Sequence, residues 1–269
     1  MQYGMIIDID RCVGCHACTI ACKAEWEIPT RFNRNWVFRL GPEMTSEGLS
    51  YTYYPGLCNH CDLPPCVDAC PADPVKMTFQ DARNGQTKTM VVSATWKDPF
   101  NGTVQIDKKR CIGCGACAEA CPYNARYINP DLADENSLGK ADKCTYCMPR
   151  VAEGLTPSCV QTCLAHARIF GDLDDPESEV AKYVKKGAVG LTSEKVQIGP
   201  NGLYYGTKKA DMELLMKEAP QEMTYASTRT LRRAMIAQMT KPAMKGLKDL
   251  GVLGLVGALT AKYLEDDEK

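Results

Sequence analysis

Sixteen cysteines lie in four runs along this chain of 269 residues. Cysteine side chains can bind iron or zinc as thiolates, or form disulfides with each other. Runs one and three share the spacing C-x2-C-x2-C-x3-C. Runs two and four keep that pattern with a longer gap before the third cysteine. In chain order the runs are Cys12, Cys15, Cys18 and Cys22; Cys58, Cys61, Cys66 and Cys70; Cys111, Cys114, Cys117 and Cys121; and Cys144, Cys147, Cys159 and Cys163.

The spacing within each run is typical of ligands to a 4Fe-4S cluster. Three thiolates from one tight loop reach three iron corners, and the cysteine after the x3 gap sits on a helix that points to the other cluster of a pair. The four runs therefore predict four cubane sites. Disulfides would require an oxidising compartment and less dense spacing, and tetrahedral zinc would leave the third and fourth cysteine of each run without a role.

Composition and charge exclude several other classes of protein. Lys and Arg number 32 against 33 Asp and Glu, so no strong overall field favours a nucleic-acid partner. Hydrophobic residues make up 45% and charged residues 24%, as in an ordinary globular chain. The first residues lack the pattern of a signal peptide, and we expect none. The longest apolar run, 250–261, would rise about 18 Å as a helix, short of the roughly 30 Å hydrocarbon core of a membrane.

Short strands and helices must position the cysteines, and the chain looks internally duplicated. The residues before Cys12 resemble those before Cys111, and both segments continue as x-Ala-Cys-x-x-Ala-Cys. Each unit predicts a strand, a loop with glycine and a short helix that carries the fourth cysteine. The fold class is α+β, with long loops and two ferredoxin-like two-cluster cores; predicted strands lie at 5–9, 75–79, 103–106, 125–128 and 167–170.

Spacing alone leaves open which runs share clusters, because the linkers allow any adjacent runs to pair. A weaker clue is the residue that follows the fourth cysteine. It is proline in runs two and three, and Lys23 and Leu164 in runs one and four. This difference favours a nested order. The predicted domains are an outer core (1–57 with 140–172), an inner core (58–139) and a C-terminal extension (173–269).

Two insertions interrupt the cores, at 31–57 and at about 80–101. Both contain stretches with the alternation or the Thr and Val content of strands. We predict either edge strands that cover the cores or contacts with a partner, since long insertions in compact domains are often functional.

The C-terminal extension is predicted to be mostly helical. Its first helix has Asp175 as N-cap, Pro176 at the first position and Gly187 at the end, and two more are predicted at 211–217 and 228–239. From Arg229 through Lys248, here called the basic segment, there are six basic residues and no acidic one. The apolar run 250–261 and an acidic end follow it. Docking on a partner is the expected role, with contact with a membrane surface and a solvated appendage as alternatives.

The histidines are not predicted to bind iron, and the tryptophans are predicted to be packing or interface residues rather than electron carriers. Four cysteines already serve each site, so loop packing or hydrogen bonding near sulfur is the expected role of the histidines. No phosphate-binding loop and no nucleophile with its base stands out, and no catalytic residue is predicted. The residues concerned are His16, His60, His166, Trp26, Trp36 and Trp96.

The order and spacing of the runs, with the segment Cys58-Asn59-His60-Cys61-Asp62-x-Pro64-Pro65-Cys66, resemble the iron–sulfur subunits of the dimethyl sulfoxide reductase family over residues 3–172. The resemblance implies the nested order and crossed ligands, in which each x3 cysteine serves the partner run. Some relatives replace the middle cysteine of run three and hold a 3Fe-4S centre there. Cys114 is present here, so we expect four 4Fe-4S clusters.

The resemblance implies four ligand sets. These are the first (Cys12, Cys15, Cys18, Cys163), the second (Cys22, Cys144, Cys147, Cys159), the third (Cys58, Cys61, Cys66, Cys121) and the fourth (Cys70, Cys111, Cys114, Cys117).

The predicted function is one-electron transfer without substrate chemistry. The resemblance implies that the four clusters form an electron-transfer chain. Its first cluster lies near a molybdopterin-type large subunit and its last near an integral membrane quinone-reactive subunit. A cytochrome is a further candidate partner. It also implies a peripheral subunit held on the cytoplasmic membrane by its partners, at the outer, periplasmic face. A freestanding polyferredoxin and a mainly structural, cluster-bearing scaffold are the alternatives.

Overall fold

The computed structural model of the protein describes residues 1–134, 137–236 and 238. Small sheets and short helices confirm the mixed α and β architecture. The strands are β1 (Tyr3–Asp8), β2 (Asn35–Thr45), β3 (Gly48–Leu57), β4 (Val75–Gln80), β5 (Thr87–Val92), β6 (Thr95–Lys97), β7 (Val104–Ile106), β8 (Tyr127–Asn129), β9 (Lys140–Asp142), β10 (Arg168–Asp172), β11 (Val189–Gly190) and β12 (Gly202–Tyr205). The helices are α1 (Ala17–Trp26), α2 (Pro65–Asp68), α3 (Ala116–Glu119), α4 (Met148–Ala152), α5 (Ser158–Gln161), α6 (Glu179–Lys185) and α7 (Lys209–Met216).

The largest sheet has the order β10-β1-β12-β11. In β1, Met5, Ile6 and Ile7 are all fully buried, as expected of a strand covered on both faces. Its neighbours are β10, which is antiparallel to it, and β12, which is parallel. The C-terminal extension therefore supplies a strand beside the N-terminal one, and the sequence pattern did not predict β11 or β12.

The remaining strands form the pairs β2–β3, β4–β5, β6–β7 and β8–β9. The first insertion is the β2–β3 hairpin, which packs against α7. The second insertion includes β5, whose Thr89 hydroxyl lies 2.9 Å from that of Thr78 on β4. Both insertions form strands, in agreement with their alternating pattern.

Two helix contacts bring different cysteine runs together. Helix α1 packs on α5, and helix α2 packs on α3. The first contact joins run one, which supplies Cys18 and Cys22 on α1, to run four, which supplies Cys159 on α5. The second joins runs two and three through Cys66 and Cys117.

The first helix of the C-terminal extension begins later than the sequence predicted. Ser178, not Asp175, is its N-cap, because the Ser178 hydroxyl accepts a hydrogen bond from the Ala181 amide at 3.1 Å. Asp175 instead accepts from the Glu177 amide in the turn before the helix.

Helices α7 and 228–236 agree with the other two helix predictions of the extension. Among the described residues, no helix has the length and apolar character needed to cross a membrane. The predictions for Met239, for most of the basic segment and for the apolar run 250–261 lie outside the described residues.

Candidate iron–sulfur sites

The cysteines of the predicted first set surround a cavity. It is lined by Cys12, Cys15, Cys18 and Cys163, with Val13, Gly14, His16 and Arg168 among its other walls.

All sixteen cysteines of the chain are free thiols. Within the described part of the chain, no three His, Cys, Asp or Glu side chains group around the position of a single metal ion.

Two further cavities bring together the second and third sets. One is lined by Cys22, Cys144, Cys147 and Cys159, with Trp26, Arg34 and Tyr146 beside them. The other is lined by Cys58, Cys61, Cys66 and Cys121, with His60, Val104 and Arg126. In each of these three cavities, three thiols come from one run and one from another.

The cysteines of the fourth set are linked through Cys114. Burial raises the pKa of Cys114 to about 11, and the nearby thiols of Cys117, Cys70 and Cys111 add to the rise, whereas a hydrogen bond from the Ala116 amide acts against it. Cys70 also borders an open cleft that includes Tyr225 and Leu231. Three of the predicted sets thus each line one cavity, and the other members of the fourth set lie near Cys114.

Exposure of the thiols differs between the sets. In the first set Cys15 is exposed and Cys12 and Cys163 are half-buried. In the fourth set Cys70 and Cys114 are half-buried. All eight cysteines of the second and third sets are buried. Two sets thus reach the surface and two are enclosed.

Left-handed backbone residues turn the cysteine loops. Gly14 and Gly113 have φ of 68° and 69°, and a Cβ at either would collide with the Tyr53 ring or the Gly139 carbonyl. The residues before α1 and α3, His16 and Gly115, are also left-handed, which is consistent with a duplicated loop.

Several N–H groups point at sulfur. The amides of Ala141, Tyr146 and Ala167 donate to the Sγ atoms of Cys111, Cys144 and Cys163 at 3.3, 3.4 and 3.2 Å. The indole Nε1 of Trp26 donates to Cys147 Sγ at 3.3 Å. Such hydrogen bonds stabilise negative charge on the sulfur atoms. They therefore favour the reduced state of a bound cluster and raise its reduction potential. The packing role predicted for Trp26 omitted this bond.

Burial is the largest cause of the raised pKa of three enclosed thiols. It raises the pKa of Cys22 and of Cys66 to about 12, and that of Cys159 to about 11. These thiols are therefore protonated at neutral pH in the absence of metal. Binding of iron requires thiolates and so releases protons.

His60 is fully buried and stacks on Tyr146, with ring centroids 3.8 Å apart. Its Nδ1 accepts a hydrogen bond from the Val104 amide at 2.8 Å. Burial, together with the charges of Lys143 and Arg126, lowers the pKa of His60 well below its usual value. These contacts hold a neutral imidazole in the wall between the second and third sets.

Sequence reasoning missed three buried basic residues beside the cysteines, Arg126, Lys143 and Arg168. A sequence signal for two of them exists. Arg126 follows Cys121 by five residues, Arg168 follows Cys163 by five, and alanine precedes each arginine. The segments that contain them were interpreted only as strands.

The residues present fit 4Fe-4S clusters. Four thiols line each of the three cavities, none of the sixteen is lost to a disulfide, and amide N–H groups face sulfur atoms. A bound 4Fe-4S cluster accepts and releases one electron.

Comparisons with known proteins point to the same chemistry. Residues 49–173 match a family described as 4Fe-4S dicluster domain, and residues 9–25 match a 4Fe-4S binding domain. A tetrathionate reductase subunit of Salmonella typhimurium is 37% identical over 225 residues, covering 81% of this chain and 78% of that protein. The thiosulfate reductase electron transfer subunit of Salmonella typhi is 38% identical, covering 76% and 91%. A polysulfide reductase chain of Wolinella succinogenes is 36% identical, covering 79% and 98%.

Proposed function

The protein belongs to the family of 4Fe-4S electron-transfer subunits that these reductase components represent, and we propose that it relays single electrons between two protein partners through a row of four clusters. It is an electron-transfer subunit and not the catalytic one. Its residues bind the clusters, exclude water from the inner ones and set their potentials.

The observation that carries this proposal is the exposure of the four cysteine sets. A relay needs two accessible ends and an insulated middle. The first and fourth sets contain exposed or half-buried thiols, whereas every thiol of the second and third sets is buried. The order first, second, third is supported by the effect of Cys18 on the pKa of Cys159 and of Cys58 on the pKa of Cys144, which both rise. The contact of α2, which carries Cys66, with α3, which carries Cys117, supports the place of the fourth set beside the third.

Within this row we propose crossed ligation. Cys163 completes the first set, Cys22 the second, Cys121 the third and Cys70 the fourth. The cavity linings and the contacts α1–α5 and α2–α3 support these assignments. The same contacts support an outer core from 1–57 with 140–172 and an inner core from 58–139, with 173–269 as an extension that adds β12 to the outer core.

The partners follow from the kind of complex that the relatives belong to. We propose a molybdopterin-type large subunit at the first cluster and an integral membrane quinone-reactive subunit at the fourth, with a cytochrome as an alternative acceptor or donor there. The protein would then be peripheral on the cytoplasmic membrane, at its outer face. Purification of the untagged native complex, with identification of the large subunit, tests this assignment.

The cluster content is tested on the purified full-length holo protein. Iron and sulfide analysis should give about sixteen irons per chain, and low-temperature EPR during a redox titration should resolve four one-electron centres. A reproducible count near twelve irons, or zinc in place of iron, would contradict four cubane sites. Clusters that no partner can reduce would favour a structural scaffold instead.

A further inference from the structure

Three basic side chains are buried among the cysteine sets without a carboxylate partner. Arg126, Lys143 and Arg168 are 5%, 1% and 3% exposed. Two other buried bases, Arg34 and Lys140, form ion pairs with Asp142 and Asp134. Within the described part of the chain, no such pair forms at Arg126, Lys143 or Arg168.

The hydrogen bonds of these three side chains leave their charges largely unmatched. Arg126 Nη2 donates to the Thr95 hydroxyl at 3.1 Å, but its Nε and Nη1 find no partner among the described residues. The same holds for both terminal nitrogens of Arg168. The Lys143 ammonium donates to the carbonyls of Cys144 and Val104. A buried cation of this kind is costly unless negative charge lies beside it.

Arg168 lies between the first and second cysteine sets. It lines the cavity of the first set. Burial acts to lower the pKa of Arg168, but nearby groups that include Cys159 and Cys18, when ionised, hold it above its ordinary value. Arg168 begins β10, which packs against α5, the helix that carries Cys159 of the second set.

Arg126 lies in the corresponding place between the third and fourth sets. It lines the cavity of the third set. Burial again acts to lower its pKa, and Cys66, Cys117 and other nearby cysteines, when ionised, outweigh that effect. Cys66 belongs to the third set and Cys117 to the fourth.

Lys143 lies between the two cores. It donates to the carbonyl of Cys144, a residue of the second set, at 2.6 Å, and to that of Val104, which lines the cavity of the third set. Burial lowers the pKa of Lys143, and the thiolates of Cys58 and Cys144 act against the decrease. Each junction in the row of four sets thus contains one buried basic side chain.

Arg126 and Arg168 occupy equivalent positions in the two cores. Both stand five residues after a cysteine that joins the cavity they line, Cys121 for Arg126 and Cys163 for Arg168. A left-handed residue two positions earlier, Asn124 or His166, directs the chain in each case. Each of the two cores therefore contains a buried arginine at the same position relative to its ligand cysteine.

We propose that Arg168, Lys143 and Arg126 form a row of buried positive charges, one at each junction between successive clusters, and that each raises the reduction potentials of both clusters that it separates. The inference rests on the proposed function and its four ligand sets. When an electron moves across a junction, one cluster is oxidised as its neighbour is reduced. A cation between them attracts the electron on either side, so it favours both reduced states without opposing the transfer.

The test compares neutral and charge-retaining variants of the full-length holo protein in EPR-monitored redox titrations. Arg168→Gln should shift the midpoint potentials of the first and second clusters to lower values. Lys143→Met should do so for the second and third, and Arg126→Gln for the third and fourth. The variants Arg168→Lys, Lys143→Arg and Arg126→Lys should keep values near those of the wild type. Lys182→Met, at an exposed side chain, is the control and should shift no cluster.

The outcomes separate this inference from the proposed function. Unchanged potentials in neutral variants that retain all their iron would overturn the inference alone. A wild-type chain without four reducible clusters would overturn the proposed function as well. If a neutral variant loses its clusters while the charge-retaining variant keeps them, the charge itself is required, which supports the inference. Equal loss of clusters in both variants would assign the side chain a role in shape and overturn it.

Discussion

Hydrogen bonds to sulfur distinguish one cysteine from another at the residue scale. Most of those described come from backbone amides, which only a substitution by proline removes. The bond from the Trp26 indole to Cys147 comes from a side chain. The same indole also lies under the Arg34 guanidinium, 5.1 Å from its ring centroid. Trp26 is therefore a positioning and tuning residue for the second cluster that can be altered without changing a ligand.

Trp26→Phe should lower the midpoint potential of the second cluster. A hydrogen bond to a charged group contributes about 1.5 kcal/mol, which corresponds to roughly 60 mV for one electron. Redox titration followed by EPR measures the shift. Trp36→Phe is the matched control, because the Trp36 indole nitrogen is buried and forms no hydrogen bond with the residues that the structure describes. Equal potentials in wild type and Trp26→Phe would show that the indole does not tune the cluster.

Cys22→Ser should damage the second cluster and leave the first largely intact. The reason is that Cys22 lines the cavity of Cys144, Cys147 and Cys159, although its chain neighbours Cys12 to Cys18 surround another. Cluster-resolved EPR of the variant measures the loss. Cys163→Ser is the reciprocal variant and should damage the first cluster. Loss confined to the first cluster in Cys22→Ser would show that ligation is not crossed.

At the scale of elements, the cysteine-bearing helices are too short to be stable alone. Helices α2, α3 and α5 have four residues each, and isolated helices of this length do not persist in water. Packing of one on another and ligation of the clusters must hold them. The ion pair of Arg34 with Asp142, with two contacts of 2.9 Å, adds a link between the first insertion and β9.

Helix α6 depends instead on its cap. Ser178→Ala removes the acceptor for the Ala181 amide and should lower the local free energy of unfolding of the helix by about 1 kcal/mol. Hydrogen exchange at the amides of residues 181–186 measures the change. Ser178→Thr keeps the hydroxyl and should exchange at nearly the wild-type rate. Unchanged protection in the alanine variant would mean that packing alone fixes the start of α6.

At the scale of the whole molecule, the extension returns to the fourth cysteine set. The Ser227 amide and the Thr230 hydroxyl bond to the carboxylate of Glu119 on α3. Gln238 donates to the Pro71 carbonyl at 2.7 Å, next to Cys70. The start of the basic segment is thereby held at the end of the row where the membrane partner is proposed.

Deleting residues 228–269 should weaken assembly with the membrane partner about tenfold or more, equivalent to ~1.4 kcal/mol, while the four clusters remain. Membrane fractionation and iron analysis measure the two properties. Removal of residues 264–269 alone is the control and should leave assembly intact, because it spares the basic and apolar segments. A fully membrane-bound protein without residues 228–269, coupled to quinone at the normal rate, would show that the extension is not the anchor.

The strands of the fold differ in how far local sequence predicts them. Strands β1, β4, β7 and β10 lie where apolar or alternating patterns indicated, since such patterns record the environment of each residue along a short segment. The two strands β11 and β12 were not predicted because they are short and depend on pairing. Strand β12 pairs with β1, more than 180 positions away in the chain, and β11 pairs with β12. The predicted start of α6 was wrong because two residues could cap it and only one does.

The sequence by itself determined the chemistry of this protein. Cysteines spaced by two residues reach one cluster through local backbone geometry, so their number and spacing are enough to indicate iron–sulfur ligands. Only the tertiary structure brought Cys163 to the cavity of Cys12, Cys15 and Cys18, and enclosed two sets while leaving two at the surface. It alone put Arg126, Lys143 and Arg168 between the sets. These relations join residues far apart in the chain, and they depend on which helices and strands pack together.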